Sequence, residues 1–512
     1  VTTVVFGQAE LAEFAEASHD RNPLHVSEEY ARATTYGEPV VYGVLAALPL
    51  LGTGAPGPHE TVRAIELSFV RPVFTGRAYQ VAAEREGDRH TARLLDVDGP
   101  AVKAVVTYGR GELEESGEPV VPDGVQRCPL DPHYSEFETG RHEDGDYRAG
   151  PAAATLTTRY GLLQAGLGSG DIEALLWASF YSGMRVPGRQ ALLSRIRVDL
   201  PQKRPGAGAG MRYRAEISRL DSRMHLVQVD GVVRRGGRTV AETTVRTFWR
   251  PPVARPTMAE IQASLEDLPP AGRGVAVVVG ASRGVGAALT LSLAHQGYEV
   301  TGFYQASHSR AEEVRAAAPE SVRMVCGDAG DPAWCARMAA DLDRSHGAVE
   351  VLACVAAPPL HPLRLSGDSL ARVTDYVSRS LCLVAAPLTA FLPLLARARG
   401  KVLAVSSESL TDPRADWPHY TAAKSAIEGL IAATVPAYPA VTFHVVRLPR
   451  IATEYVESLN PAIAAISPAT AATNLLRLIH PGPHQSHEPE HGRGPRPDRP
   501  RPGPKRRPGP AP

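Results

Sequence analysis

Cysteine is scarce in this chain. Five cysteines among 512 residues (Cys128, Cys326, Cys335, Cys354 and Cys382) are odd in number and lack metal-ligand spacing. That argues against a disulfide framework and against a metal site, and it fits small core residues in a reducing cytoplasm. Net charge is also missing. Lysine plus arginine and aspartate plus glutamate each number 55, so neither nucleic acid nor an anionic membrane is suggested as a partner. No apolar run reads as long enough to span a bilayer, and no basic-then-apolar segment at the start suggests secretion. What is present is an ordinary apolar fraction of 43%, enough for sizeable cores in roughly two or three domains.

The clearest local signal is Val275-Ala-Val-Val-Val279 followed by Gly280-Ala-Ser-Arg-Gly-Val-Gly286. A short β-branched run reads as a strand buried on both faces of a parallel sheet. The glycines allow a tight turn and close approach of a pyrophosphate. The helical pattern after them offers free N–H groups and a positive dipole end. From there strand and helix alternate: Tyr298–Phe303, Val322–Cys326, Val349–Val355, Gly400–Ser406 and Val441–Val446 read as strands. The expectation is an α/β doubly wound parallel sheet, a Rossmann domain, over residues 273–480.

Near the start, Asp20-Arg-Asn-Pro-Leu-His25 cannot continue a helix, because a residue before proline is pushed out of the α region. Asp20 and His25 are therefore expected on a turn. They could act as an acid–base pair on one carbon, or Asp20 could simply cap a turn. Tyr36-Gly-Glu-Pro-Val-Val-Tyr-Gly43 then leads into the apolar Val44–Leu51, read as a buried helix, and four strand-like runs lie between Ala64 and Thr107. Residues 152–252 repeat this plan faintly, without a second Asp and His pair.

One helix wrapped by antiparallel strands, with D-x-N-P-x-H and G-x-P-V-V-x-G, resembles the MaoC-type (R)-specific enoyl hydratase and 3-hydroxyacyl dehydratase family, which has a hot-dog fold. The resemblance implies an α+β double hot-dog: a dehydratase unit at 1–115, a linker at 116–150, and a second, non-catalytic unit at 151–252 serving structure and substrate tunnel. It implies Asp20 and His25 as the catalytic pair and the Gly43 N–H as donor to the thioester carbonyl. Tyr42 stands where the family usually has histidine. Trp177, Phe180 and Tyr181 are read as core.

The C-terminal region resembles the short-chain dehydrogenase/reductase family. That implies Ser407, Tyr420 and Lys424 as catalytic residues. Gly280, Ser282, Arg283, Gly284, Val285 and Gly286 would hold the cofactor phosphates, and Asp328 the adenine. Lys424, together with the nicotinamide charge, is expected to lower the Tyr420 pKa, and Lys424 to hold the ribose. No acid follows the second strand, and Arg283, helped by Ser307 or Arg310, is placed for a 2′-phosphate, so NADPH is expected over NADH. Cys354-Val-Ala-Ala357, Ser380 and Pro449-Arg450 differ from the family pattern. A linker is expected at 253–272 and a disordered tail at 481–512.

Together the two resemblances imply a bifunctional 3-oxoacyl-thioester reductase and 3-hydroxyacyl-thioester dehydratase. It would act on an acyl carrier protein or coenzyme A thioester, in polyketide or fatty-acid biosynthesis, as a homo-oligomer, a dimer being the simplest form.

Overall fold

The computed structural model describes residues 2–110, 112–114, 128–205, 210–252, 255–268, 274–367, 369–452 and 465–480. The expected tail at 481–512 and residues 116–127 of the first linker lie outside the described residues.

The chain opens with strand β1 (Thr2–Val5), helix α1 (Gln8–Ser18), the one-turn α2 (Pro23–Val26), α3 (Glu28–Arg32) and α4 (Gly43–Leu51). Then come β2 (Glu60–Phe69), β3 (Ala78–Glu86), β4 (Arg89–Asp96), β5 (Gly99–Arg110) and the short β6 (Glu112–Glu114). Apolar on every side, α4 is buried from Val44 to Leu48, as such a helix must be.

A second set follows: β7 (His142–Tyr147), α5 (Ala152–Arg159), α6 (Ser169–Phe180) with a π-helical turn over Tyr181–Arg185, and β8 (Ala191–Asp199). It continues with β9 (Lys203–Pro205), β10 (Met211–Asp221), β11 (Leu226–Arg235) and β12 (Arg238–Trp249).

Among the described residues, ten strands form one antiparallel sheet in the order β1-β3-β4-β5-β2-β8-β12-β11-β10-β7. The order read outward from the centre is the same on both sides: β2, β5, β4, β3, β1 against β8, β12, β11, β10, β7. The seam pairs β2 with β8, from Ala64 opposite Asp199 to Ser68 opposite Arg195. Glu66 bridges it with ion pairs of 2.6 Å to Arg195 and to Arg197. Trp177, Phe180 and Tyr181 are buried in the shared core.

Two spans read as linkers hold structure. β7 lies within 116–150 and pairs with β10. Its sequence His-Glu-Asp-Gly-Asp-Tyr has no apolar alternation, because it is an edge strand with only Tyr147 buried. α7 (Met258–Leu265) lies within 253–272. It starts with a Thr257–Glu260 capping box and buries Ile261 and Leu265 in the next core.

The third part begins with β13 (Gly274–Val279), α8 (Gly284–His295), β14 (Tyr298–Tyr304), α9 (His308–Ala317), β15 (Val322–Cys326) and α10 (Pro332–His346). β16 (Val351–Cys354), α11 (Leu370–Ala398), β17 (Lys401–Ser407), α12 (Pro418–Thr434), β18 (Thr442–Leu448) and α13 (Pro468–Ile479) complete it. Six parallel strands run in the order β15-β14-β13-β16-β17-β18. The order reverses between β13 and β16, which opens a crevice at the strands' C-terminal ends. The 29-residue α11 is, against the sequence reading, long and apolar enough to cross a membrane. Here its apolar residues Leu383, Val384, Leu388, Phe391 and Leu395 are buried in the sheet's core.

Candidate active sites

The first site is built where α1 ends. His19 turns the chain into the left-handed region at φ 58°. Ser18 Oγ, donating to the Phe14 carbonyl at 2.7 Å, accepts the Asp20 N–H at 3.1 Å. Tyr42 Oη donates to the Asp20 carbonyl at 2.7 Å. The Asp20 backbone is thus held from both sides.

His25 lies on α2, a correction to the expected turn. Asn22 before Pro23 is extended (φ −58°, ψ 126°), as the pre-proline restriction requires, and its side chain caps the Leu24 N–H. Pro23, with φ preset, starts the helix. The Asn22 side-chain amide also donates to the carbonyls of Gly183, at 3.3 Å, and Gly188, at 3.1 Å, both in the second half.

The Asp20 carboxylate is buried. One oxygen accepts the Asn22 N–H at 3.0 Å, and the other accepts Ser179 Oγ, from α6, at 2.9 Å. Burial pushes its pKa up to about 7 against the pull of both hydrogen bonds. His25 Nδ1 lies 2.6 Å from the Val40 carbonyl. A carbonyl only accepts, so Nδ1 carries the proton and Nε2 keeps its lone pair. Burial, outweighing that bond and joined by the Arg250 charge, lowers His25 to about 4. Its ring stacks on Tyr42 with centroids 3.9 Å apart. Tyr42 therefore touches both residues. Gly43 is the first residue of α4, in the turn whose N–H groups have no intrahelical acceptor, and it faces the Phe69 ring. At neutral pH the site offers an uncharged imidazole base and a half-protonated carboxylic acid.

The second site lies in the crevice, a cleft of about 790 Å³. Gly280 at φ 90° packs against the Ala356 backbone, where a side chain would collide at 2.8 Å. Ser282, Arg283, Gly284, Val285 and Gly286 line the same cleft. So do Ser407, Tyr420 and Lys424. The Tyr420 hydroxyl is hydrogen-bonded to Ser407, while burial raises its pKa. The Lys424 ammonium donates to the Val405 carbonyl at 2.8 Å and sits 5.7 Å from the Tyr420 ring centroid, so desolvation dominates. Burial also lowers Lys424 itself to about 8.

Asp328 lines the cleft, but its carboxylate is taken by a two-pronged bond to Arg379 at 2.7 and 2.9 Å. Ser307 is buried at the cleft wall. Arg310 is not among the described residues lining it and pairs with Glu313 at 3.5 Å. Ser380 is buried on α11. Cys354 ends β16 and is buried, and the Val355–Ala357 loop beyond it lines the cleft.

Residues 1–105 match the MaoC like domain family. Over 122 residues, 23% of this chain and 85% of the relative, the chain is 38% identical to an (R)-specific enoyl-CoA hydratase of Aeromonas caviae. The chain belongs to the MaoC-like family. A 3-hydroxybutyryl-CoA dehydratase of Methylorubrum extorquens is 38% identical over 87 residues, 16% of this chain and 55% of that relative. Behind the MaoC-like unit, residues 274–464 match the short chain dehydrogenase family. Among solved structures, an alcohol dehydrogenase from the archaeon Thermococcus sibiricus is 24% identical over 40% of this chain and 90% of its own, with a TM-score of 0.37.

The sequence reading of the MaoC-like site missed what the second half brings to it. Ser179 binds the Asp20 carboxylate, and Gly183 leaves room for it: a Cβ there would lie 2.4 Å from Asp20 Oδ1. A hydroxyl within the apolar C-terminal half of α6, Ala174–Phe180, was the available signal for Ser179. For Asn22 it was the N-P step inside the motif itself.

Proposed function

We propose that the chain is a bifunctional enzyme that reduces a 3-oxoacyl thioester with NADPH and dehydrates the resulting 3-hydroxyacyl thioester. The observation that carries the first chemistry is geometric: His25 Nδ1 is tied to the Val40 carbonyl so that Nε2 keeps its lone pair, while Tyr42 packs on the His25 ring and holds the backbone of the buried Asp20. Burial raises Asp20 and lowers His25 in keeping with an acid and a base. An acid and a base poised in this way are what the elimination of water needs.

In dehydration His25 Nε2 takes the C2 proton, the C2–C3 double bond forms, and the 3-hydroxyl leaves as water with the Asp20 proton. The Gly43 N–H stabilises the charge gathering on the thioester oxygen. The two halves, read as a double hot-dog, then share one site, with Ser179 orienting Asp20.

The residues of the cleft fit a dinucleotide: the glycine turn approaches closely, and Lys424 is a buried cation beside Tyr420. The nicotinamide, when bound, supplies the hydride. Ser407 would hold the ketone oxygen, Tyr420 would protonate it, and Lys424 would hold the ribose. The absence of an acid after β14, with Arg283 in the turn, supports NADPH.

The two relatives named above act on coenzyme A esters by name, which favours coenzyme A as the carrier; acyl carrier protein is the second reading, supported by the reductive direction. The test is product analysis by mass spectrometry with NADPH and acetoacetyl thioesters of both carriers. His25→Ala should accumulate the hydroxyacyl product, and Tyr420→Phe should leave the ketone untouched. No NADPH oxidation by the wild type would overturn the reductase reading in favour of a scaffold.

A further inference from the structure

The dehydrogenase cleft is not walled by its own domain alone. Arg32, Thr34, Thr35 and Gly37 of the MaoC-like unit line it together with Arg283 and Ser307. They belong to a segment fastened at both ends. At one end Glu29 accepts the Ser309 N–H at 2.7 Å and also the Ser309 hydroxyl. Its carboxylate therefore sits in the first turn of α9, where the helix dipole favours it. At the other end Gly37, at φ 68°, leaves no space for a side chain: a Cβ would lie 2.5 Å from that of Pro359. Beside it Glu38 pairs with His361 at 3.4 Å, and the His361 ring is 4.7 Å from that of Phe74. The segment thus runs from the start of α9, along the cleft, to the loop after β16.

The α9 end identifies which part of a dinucleotide this segment meets. In a doubly wound sheet the adenosine ribose lies beyond the second strand. Here that strand is β14, and its following residues Gln305, Ala306 and Ser307 line the cleft. Arg32 is one helical turn beyond Glu29 and so shares its face of α3. Its guanidinium pairs with Glu28 at 2.7 Å, both side chains being partly exposed. Such a pair is weak, and a phosphate dianion is a better match for the guanidinium fork.

We propose that Arg32 reads the 2′-phosphate of the dinucleotide, so that cofactor choice in the dehydrogenase domain is made partly by the hydratase unit. This assignment rests on the NADPH-dependent reductase reading above. Without Arg32, Glu28 loses its partner, while Glu29 stays bound at Ser309 with Arg310 nearby, so the change removes one cation from this side of the cleft and leaves the rest of the wall in place.

The test is nucleotide binding to the full chain, read by fluorescence, for wild type, Arg32→Ala and Arg32→Lys. Hydration of an enoyl thioester serves as the control for folding. Arg32→Ala should weaken NADPH by roughly tenfold or more, leave NADH nearly unchanged and leave hydration intact, with Arg32→Lys between. Unchanged NADPH affinity would overturn the assignment. So would equal weakening of both nucleotides, which would make the segment a wall and not a reader. A wild type that binds neither nucleotide would sink the reductase reading itself.

Discussion

Ser179 offers the sharpest probe of the proposed hydratase site, because it reaches from the other half of the sheet to the carboxylate proposed as the catalytic acid. Between about 4 and about 7 the Asp20–His25 pair holds one proton. Both directions of the reaction need that one-proton state, so the rate should rise through about 4 and fall through about 7. Two hydrogen bonds stabilise the Asp20 carboxylate, and Ser179 supplies one, at 2.9 Å. Ser179→Ala removes stabilisation from the charged form only. A hydrogen bond to a charged group contributes about 1.5–3 kcal/mol, and 1.36 kcal/mol is about one pKa step. The alkaline limb should therefore move upward by about one to two pH steps, while the acid limb, set by His25, stays in place. Initial rates of enoyl thioester hydration across pH 3.5–9.5, on the order of that window, give both limbs. A uniform fall in rate with an unmoved alkaline limb would refute Ser179 as the residue that tunes Asp20.

Other substitutions test neighbouring claims. Gly183→Ala puts a methyl 2.4 Å from Asp20 Oδ1 and should depress hydration strongly while sparing NADPH-dependent ketone reduction, both measured on one preparation. Arg235→Ala strands Glu173 in the core of the second half, and should cost about 3–5 kcal/mol in denaturant unfolding; pairing it with Glu173→Leu should recover much of that. Lys424→Met should stabilise the cofactor-free dehydrogenase domain at pH 7 while abolishing ketone reduction. Burial lowers the Lys424 pKa from 10.5 to about 8, a penalty of up to about 3 kcal/mol on the ammonium. The folded domain binds fewer protons than the unfolded chain between those values, so wild-type stability should rise with pH from about 8 to 10.5, and the variant should lack that rise.

The parts of this molecule that were legible in sequence are those with uniform local chemistry. The six strands of the third part are short apolar runs between turn residues, and the sheet contains each of them within a few residues of the expected bounds. The α4 run and the strands of the first half show equally plainly, those of the second half more faintly. β7 did not, because an exposed edge strand of acids and a glycine carries no alternation. α7 was hidden between proline clusters, although its Thr257–Glu260 box was in view. Within the sites, Asp20, His25, Ser407, Tyr420 and Lys424 were singled out by the resemblance of their motifs, and the structure gathers Ser407, Tyr420 and Lys424 on one cleft. Ser179 lies 159 residues from Asp20, and only the folding of one half onto the other brings them together. Proximity in sequence likewise shows the ammonium near Tyr420 but not the desolvation around the phenol, which raises its pKa.

The β2–β8 seam has a consequence for evolution and for dilution. In a pair of separate chains the strands that meet there would part at low concentration, taking Ser179 away from Asp20. Written into one polypeptide, the contact is intramolecular, and the specific activity of hydration should stay constant however thin the solution becomes. The same tethering keeps Ser179 of α6 within hydrogen-bond reach of Asp20 without any second chain.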